Sequence, residues 1–369
     1  MKLETKTLGI LGGGQLGRMS ALAAARLGIK THIYCPESDS PASQVAAQTF
    51  IGSYTDKKKL KAFCETVDVV SYEFENIPLE TVQEIQKYVP VYPDDTLLEM
   101  AQDRGKEKKF LNDIGIPTAG WRLADTPEEA AKHISEMPGS DYIIKTTRFG
   151  YDGKGQISCS ESDDIVTKWK SLNSKNTIIE EKIDFACEIS VIVARDKLGQ
   201  TATYGPVLNE HRNHILAKST IPAAIPAETA TNAIRLTSHL ADAVNLIGVL
   251  ALEMFVTKDG GIIANEIAPR THNSGHWTID ACSVSQFEQH VRTVCDMPVA
   301  PPGRHSDAVM ANLIGSDVRN LGPWLEQSGA CLHLYGKYDI KEGRKMGHVT
   351  VLKPMNEDSL KLDVLQDVA

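Results

Sequence analysis

No run of apolar residues in this chain approaches the roughly 20 needed to cross a bilayer, because charges and glycines break every hydrophobic segment. The opening residues Met1-Lys2-Leu3-Glu4-Thr5 lead straight into an apolar strand, without the long apolar stretch and small-residue cleavage site of a signal peptide. Neither a membrane partner nor secretion is expected. Positive charge is also in deficit: 39 Lys and Arg against 48 Asp and Glu leave a net charge of -9. A nucleic-acid backbone needs a basic face, so no nucleic-acid partner is expected, and the short patches Lys57-Lys58-Lys59 and Lys106 to Lys109 read as solvated helix faces. Seven cysteines are scattered without a C-x-x-C pair, which suits free thiols in a reducing compartment, hence the cytoplasm.

What is present is enough for two or three domains: 369 residues, 42% hydrophobic and 24% charged. From Thr5 to Tyr92, short apolar runs (Thr7 to Leu11, Thr31 to Cys35, Val67 to Tyr72, Val89 to Tyr92) alternate with amphipathic helical stretches, the pattern of a doubly wound parallel sheet. A helix from about Gln15 to Leu27 carries Leu16, Met19, Leu22, Ala23 and Leu27 at helical spacing and should pack on that sheet. Beyond Pro93 come a charged helix, Asp103 to Asn112, and Thr126-Pro127, an N-cap followed by proline at the first helical position. Strand candidates Tyr142 to Lys145, Gln156 to Cys159 and Thr177 to Ile183, with a helix from Asp163 to Leu172, suggest a small α+β lid. From Glu188 onward strands dominate: Ile189 to Ala194, Thr201 to Tyr204, Val249 to Val256 and Ile262 to Ile267. The helix Thr229 to Ile247 lies between them, and the turn Lys258-Asp259-Gly260-Gly261 joins the last two.

Gly12-Gly13-Gly14-Gln15-Leu16-Gly17 contains G-x-G-x-x-G between a strand and a helix, so backbone N–H groups there can meet a phosphate. A dinucleotide site also wants an acid at the end of the second strand, and that strand ends Ile33-Tyr34-Cys35-Pro36 with Glu37 after the proline. A nicotinamide-dependent dehydrogenase is therefore the weaker reading. A phosphate of another ligand, or a turn that only lets helix and strand pack closely, fits better.

Two carboxylates, Glu253 and Glu266, sit on neighbouring strand candidates either side of the hairpin turn. Buried among apolar neighbours they call for a cation, and oxygen ligands, with Asn265 as a third, suit magnesium bound to phosphate. The plainer alternative leaves one of them facing solvent. Lys145 followed by the glycine loop Arg148 to Gln156 offers charge and flexible backbone for a triphosphate, or else a surface loop. Glu188, opening a strand after Glu180-Glu181-Lys182-Ile183, is a candidate for the ribose hydroxyls of a purine nucleotide. Glu210, His211 and His214 lack the further ligands of a zinc site.

Taken in order, Lys145, the glycine loop, Glu180 to Ile183, Glu188, Glu253 and Asn265-Glu266 resemble the ATP-grasp ligases. Tyr72-Glu73-Phe74-Glu75-Asn76, Phe149-Gly150-Tyr151-Asp152-Gly153-Lys154-Gly155-Gln156 and Ala268-Pro269-Arg270-Thr271-His272-Asn273-Ser274-Gly275-His276 narrow the resemblance to the ligases that carboxylate aminoimidazole ribonucleotide in purine biosynthesis. It spans residues 5 to about 353.

The resemblance implies a mixed α/β and α+β chain with the ATP-grasp fold. Residues 1–103 would form a Rossmann-like domain, 104–184 the lid, and 185–369 a C-terminal domain with the metal site and a β-rich subdomain. It implies a C–N bond-forming ligase using ATP, bicarbonate and aminoimidazole ribonucleotide through carboxyphosphate, and a homodimer. ATP would contact Arg104, Lys145, Gly150, Tyr151, Asp152, Gly153, Lys154, Gly155, Gln156, Glu180, Glu181, Lys182, Ile183, Glu188, His211, Asn265 and Glu266. Glu253 and Glu266 would hold magnesium, with manganese as its substitute.

Gly13, Gly14, Gln15, Leu16, Glu73, Lys337, Arg344 and Lys345 would hold the ribonucleotide, Gly13 to Leu16 through helix-terminal N–H groups. Arg270, as a bidentate anion holder, His272, Asn273, Tyr151 and Asp152 would surround the reacting atoms. His272 as a simple turn cap, and Arg344-Lys345 as an exposed turn, are the plainer alternatives. A sister ligase, such as a formate-dependent glycinamide ribonucleotide transformylase, is the nearest rival.

Overall fold

The computed structural model describes residues 6–150 and 153–355. Its first sheet is parallel, with β1 (Thr7–Leu11), β2 (Lys30–Cys35), β3 (Gln48–Ile51) and β4 (Val69–Tyr72) in the order β3-β2-β1-β4. Helix α1 (Gln15–Arg26) lays Leu16, Met19 and Ala23 on the sheet, while Leu22, expected on the same face, is 48% exposed. Val89 to Tyr92, expected as a strand, makes only a single bridge, Val91 to Val70. The fourth strand is instead β3, at the opposite edge beside β2, and its Gln-Thr-Phe-Ile sequence carries too little apolar pattern to announce itself. Helices α2 (Lys57–Cys64), α3 (Leu79–Ile85) and α4 (Asp95–Ala101) complete this part.

Helix α5 (Arg104–Asp113) starts on an Asp103 cap that accepts from Gly105 N and Lys106 N. The sheet of the segment expected as a lid runs in the order β5-β8-β6-β7 from β5 (Trp121–Ala124), β6 (Asp141–Thr146), β7 (Gln156–Ser160) and β8 (Thr177–Glu181), all paired antiparallel. Helices α6 (Pro127–Glu136) and α7 (Ile165–Ser171) cover it around Ile134, Tyr142, Ile144, Trp169 and Ile179. Thr126 caps α6 as expected, accepting from Glu129 N at 3.1 Å.

The largest sheet is antiparallel throughout. It holds β9 (Phe185–Arg195), β10 (Thr201–Arg212), β11 (Ile215–Ile221), β12 (Gly248–Thr257), β13 (Ile262–Ala268), β14 (Asp307–Ile314), β15 (Ala330–Leu334) and β16 (Lys345–Lys353), in the order β13-β12-β9-β10-β11-β14-β16-β15. Helix α8 (Ala227–Ala243) joins the core of one face, with Leu236 and Leu240 against Val191 and Leu250. The short α9 (Thr278–Ala281) brings Ala281 into the core of the other face, while α10 (Gln286–Val294) packs against α1 and α11 (Gly322–Leu325) near β15. Strand β10 runs eight residues past the expected end at Tyr204, with its register shifted between Tyr204 and Val207. Gly205-Pro206 hides that continuation, because both residues ordinarily weaken a strand. The continuation matters, since it carries His211 to the site.

Candidate active site

A cavity of about 600 Å³ opens between the lid, the large sheet and the loops of the first sheet. Its floor is the β12–β13 hairpin, where Glu253 and Glu266 are direct partners across the ladder and both line the cavity. His272 Nε2 lies 3.0 Å from Glu253 Oε1, and Arg104 Nη1 lies 3.3 Å from Glu266 Oε2. Burial pushes the Glu253 carboxyl upward, but the hydrogen bond from His272, with the charges of His211 and Lys345, outweighs it and holds the group below its ordinary value. An all-oxygen pair of this kind, each member already facing a cationic or N–H group, fits a magnesium ion that takes its other ligands from phosphate and water.

The lid side carries Lys145, whose Nζ donates to Glu180 Oε2 at 2.9 Å. Lys108 approaches the same oxygen at 3.4 Å and donates to Asn265 O at 3.2 Å. Lys108 is 1% exposed, so part of the Lys106 to Lys109 run is a buried tether and not a solvated face. Helix periodicity turns Lys106 and Lys109 outward and Lys108 inward, which a charge count does not register. Burial would raise the Glu180 carboxyl, yet Lys108 and Lys145 bring it down to about 2. Glu107, its neighbour, accepts from Ile267 N, and burial lifts its carboxyl to about 8 against the pull of Lys108. Helix α5 thus grips three consecutive residues of β13: Asn265, Glu266 and Ile267.

Further along the wall, His211 Nδ1 pairs with Glu188 Oε2 at 2.9 Å, so two expected nucleotide contacts hold each other. Glu210 turns instead to Lys218 at 2.6 Å. Lys182 and Gln156 line the cavity, whereas Glu181, Ile183 and Gly155 do not, and Glu180 stands behind Lys145. In the loop, Gly150 O accepts from Arg104 Nη2 at 3.4 Å, and Gly153 and Lys154 also face the space. Gly153 has φ +76°, and a Cβ there would meet His214 at 2.5 Å, so this turn needs glycine on two counts. Tyr151 and Asp152 lie outside the described residues.

On the third wall two groups expected to meet anionic ligands are paired with carboxylates of the chain itself. The N–H groups at the start of α1, expected to cradle a substrate anion, already serve a carboxylate: Gly14 N and Gly17 N donate to Glu73, the latter at 2.8 Å. A carboxylate takes the same helix-terminal donors as a phosphate. Gly13 and Gly14 permit close approach, since a Cβ at Gly14 would lie 2.5 Å from Glu73 Oε1 and one at Gly13 2.3 Å from Ser40 Oγ. The same contact closes the dinucleotide reading of this loop. Only Gln15 and Leu16 of the expected quartet reach the cavity.

Arg270, expected to offer its fork to an anion, gives it to Glu75: Nη2 donates to Oε1 at 2.9 Å and Nε to Oε2. Glu75 stands two residues beyond Glu73, and only folding shows that it faces Arg270. From the C-terminal region Lys345 lines the cavity, Lys337 Nζ donates to Lys345 O at 2.7 Å, and Arg344 Nη1 donates to Asp339 O at the surface. Asn273 lines the cavity with both amide atoms buried and without a partner among the described residues. A buried amide left in that state is costly unless a ligand satisfies it.

Family models match most of the chain. A ribonucleotide synthetase pre-ATP-grasp domain matches residues 5–102, an ATP-grasp domain residues 109–287, and a phosphoribosylaminoimidazole carboxylase C-terminal domain residues 308–361. The N5-carboxyaminoimidazole ribonucleotide synthase of Brucella melitensis is 46% identical over 350 residues, 94% of this chain and 96% of its own. Among solved structures, an N5-carboxyaminoimidazole ribonucleotide synthetase in complex with ADP superposes with a TM-score of 0.91 at 41% identity, covering 95% of this chain and 93% of that one. The Aspergillus clavatus N5-carboxyaminoimidazole synthase, in complex with ADP and 5-aminoimidazole ribonucleotide, gives a TM-score of 0.91 at 31% identity over 99% and 98% of the two chains.

Proposed function

Because the chain belongs to the N5-carboxyaminoimidazole ribonucleotide synthases of the ATP-grasp superfamily, we infer that it is a purine-biosynthesis ligase using ATP to carboxylate the amine of 5-aminoimidazole ribonucleotide. The observation that carries this reading is the Glu253–Glu266 pair facing Lys145 across one cavity. That arrangement suits a nucleotide whose terminal phosphate is moved by positioning and charge neutralisation.

In the reaction we assign, a bicarbonate oxygen attacks the γ-phosphorus of ATP, ADP leaves, and carboxyphosphate forms. The substrate amine then attacks the carboxyl carbon, the C–O bond to phosphate breaks, phosphate departs with that electron pair, and the amine gives up a proton. Glu253 and Glu266 are the residues that would hold magnesium, which when bound supplies positive charge to the phosphate oxygens. Lys145 and Arg104 supply fixed positive charge beside them. Asn273, with its open amide, is placed to orient bicarbonate or the carboxyl group, beside His272 and Arg270. The cations Lys337, Arg344 and Lys345 are suited to the ribose phosphate, with Lys345 at the cavity edge. We place the enzyme in the cytoplasm as a homodimer, a location supported by seven unpaired cysteines. No helix among the described residues is long and apolar enough to cross a membrane.

The test is ADP release by the purified protein with magnesium and ATP. Release should require bicarbonate and 5-aminoimidazole ribonucleotide together, and stop on chelation of the metal. Release that instead depends on formate with glycinamide ribonucleotide would transfer the chain to the sister reaction.

A further inference from the structure

Behind His272 a continuous row of buried polar side chains crosses the large sheet. Ser219 Oγ on β11 donates to Asn209 Oδ1 at 2.9 Å, and Asn209 Nδ2 on β10 donates to Ser190 Oγ on β9 at 2.9 Å. The hydroxyls of Ser190 and Ser274 are 2.6 Å apart, and Ser274 Oγ lies 2.9 Å from His272 Nδ1. Ser190, Ser219 and Ser274 are fully buried and Asn209 nearly so. Relative to apolar side chains of the same shape, a satisfied polar row contributes little net stability. It does, however, have a direction.

Each hydroxyl has one proton to give. Asn209 supplies the proton between itself and Ser190, which leaves the Ser190 proton for Ser274 and the Ser274 proton for His272 Nδ1. The backbone N–H of Ser274 also donates to Nδ1, at 3.4 Å. Facing two donors, Nδ1 must present its lone pair, so the ring proton sits on Nε2, the nitrogen 3.0 Å from Glu253 Oε1. The backbone that carries the ring is itself held, since Gln286 accepts from His272 N at 2.8 Å and donates to His272 O at 2.6 Å.

We propose that Ser190, Asn209 and Ser219 are positioning residues that act through Ser274 to hold His272 in its Nε2–H tautomer, so that a proton meets the Glu253 carboxylate at the cavity floor. In the other tautomer two lone pairs would oppose each other there, and Glu253 would lose the contact that orients it toward a bound nucleotide. The kinetic consequence rests on the carboxylation reading above. The tautomer itself does not.

The experiment is a ring 15N–1H correlation spectrum of protein labelled at histidine with 15N, at a fixed pH near 8, with His272 assigned by the loss of its signals in His272→Gln. Wild-type protein should show His272 protonated at Nε2 and bare at Nδ1. Ser190→Ala should mix the two tautomers and lower kcat about tenfold, the usual scale for removing a partner that orients a site ligand. KM for ATP should change less than kcat, within about twofold, because Glu266, Lys145 and Arg104 still line the nucleotide side of the cavity. Ser219→Ala, one link further away, should act in the same direction and less. A wild-type spectrum with Nδ1 protonated overturns the proposal, and this holds even if Ser190→Ala does not fold. A folded Ser190→Ala protein that loses kcat while keeping a pure Nε2–H tautomer overturns it as well. Wild-type protein that shows the tautomer yet releases no ADP with bicarbonate and 5-aminoimidazole ribonucleotide refutes the functional reading and leaves the relay standing.

Discussion

Arg270 lies against Glu75 in a two-point guanidinium–carboxylate contact that ties the loop after β13 to the loop after β4. Both side chains are largely buried, at 17% and 28% exposure. A third donor, on Nη1, goes to Thr271 O at 3.1 Å, which leaves two of the five N–H groups of Arg270 for a ligand. Arg270 is therefore first a joint between the first sheet and the large sheet.

Glu75→Gln should strip that joint of its charge and destabilise the protein by about 2 kcal/mol, within the range for hydrogen bonds to charged groups. Denaturant unfolding at neutral pH measures it. Burial works against the ionised Glu75 carboxyl, but Arg270 brings it down to about 2. A carboxyl depressed in the folded state adds stability that is complete above the unfolded value near 4.5 and is lost as pH falls toward 2. Glu75→Gln should accordingly lose less stability than wild type over that acid interval. Equal acid losses would remove the pair from the stability account.

Glu266→Gln should lower kcat by about 10² to 10³, the scale for losing a group that stabilises developing charge, while circular dichroism stays unchanged. Near-normal turnover would take Glu266 out of the metal site. The variant also relieves Arg104 of its partner, so a modest rise in KM for ATP should accompany the loss.

Lys145 and Lys108 share one oxygen of Glu180 but should separate in their effects. Lys145→Met should raise KM for ATP by about tenfold, the worth of one charge contact, with little change in melting temperature, since Lys108 still neutralises Glu180. Lys108→Met should lower the melting temperature, because it also leaves the Asn265 carbonyl without its donor. The reverse pattern would exchange their assignments.

Burial and the nearby charge of Arg344 push Lys337 down to about 8. A phosphate monoester settling beside it would raise that value again. Binding of 5-aminoimidazole ribonucleotide near pH 8 should therefore take up a fraction of a proton, seen as a dependence of the calorimetric heat on buffer ionisation enthalpy. Lys337→Met should abolish the dependence. Heat independent of buffer would place the phosphate elsewhere.

Local patterns that need only neighbours in the chain were legible from the sequence: the α1 strand-to-helix turn, the Thr126 cap, the hairpin that sets Glu253 beside Glu266, and the order of residues that marked the ATP-grasp ligases. Periodicity and turn chemistry act over a few residues, and they suffice to put both carboxylates on neighbouring strands of one hairpin. Which side chain meets which across long separations was decided only by tertiary packing. Glu73 reaches Gly14 across 59 positions, Glu75 reaches Arg270 across 195, and Lys108 sinks between Glu180 and Asn265 instead of facing water. Charged groups choose partners by distance and dielectric after the chain has closed, so the same acids and bases that sequence order places in the site acquire their pairings, and their proton affinities, only from the folded arrangement.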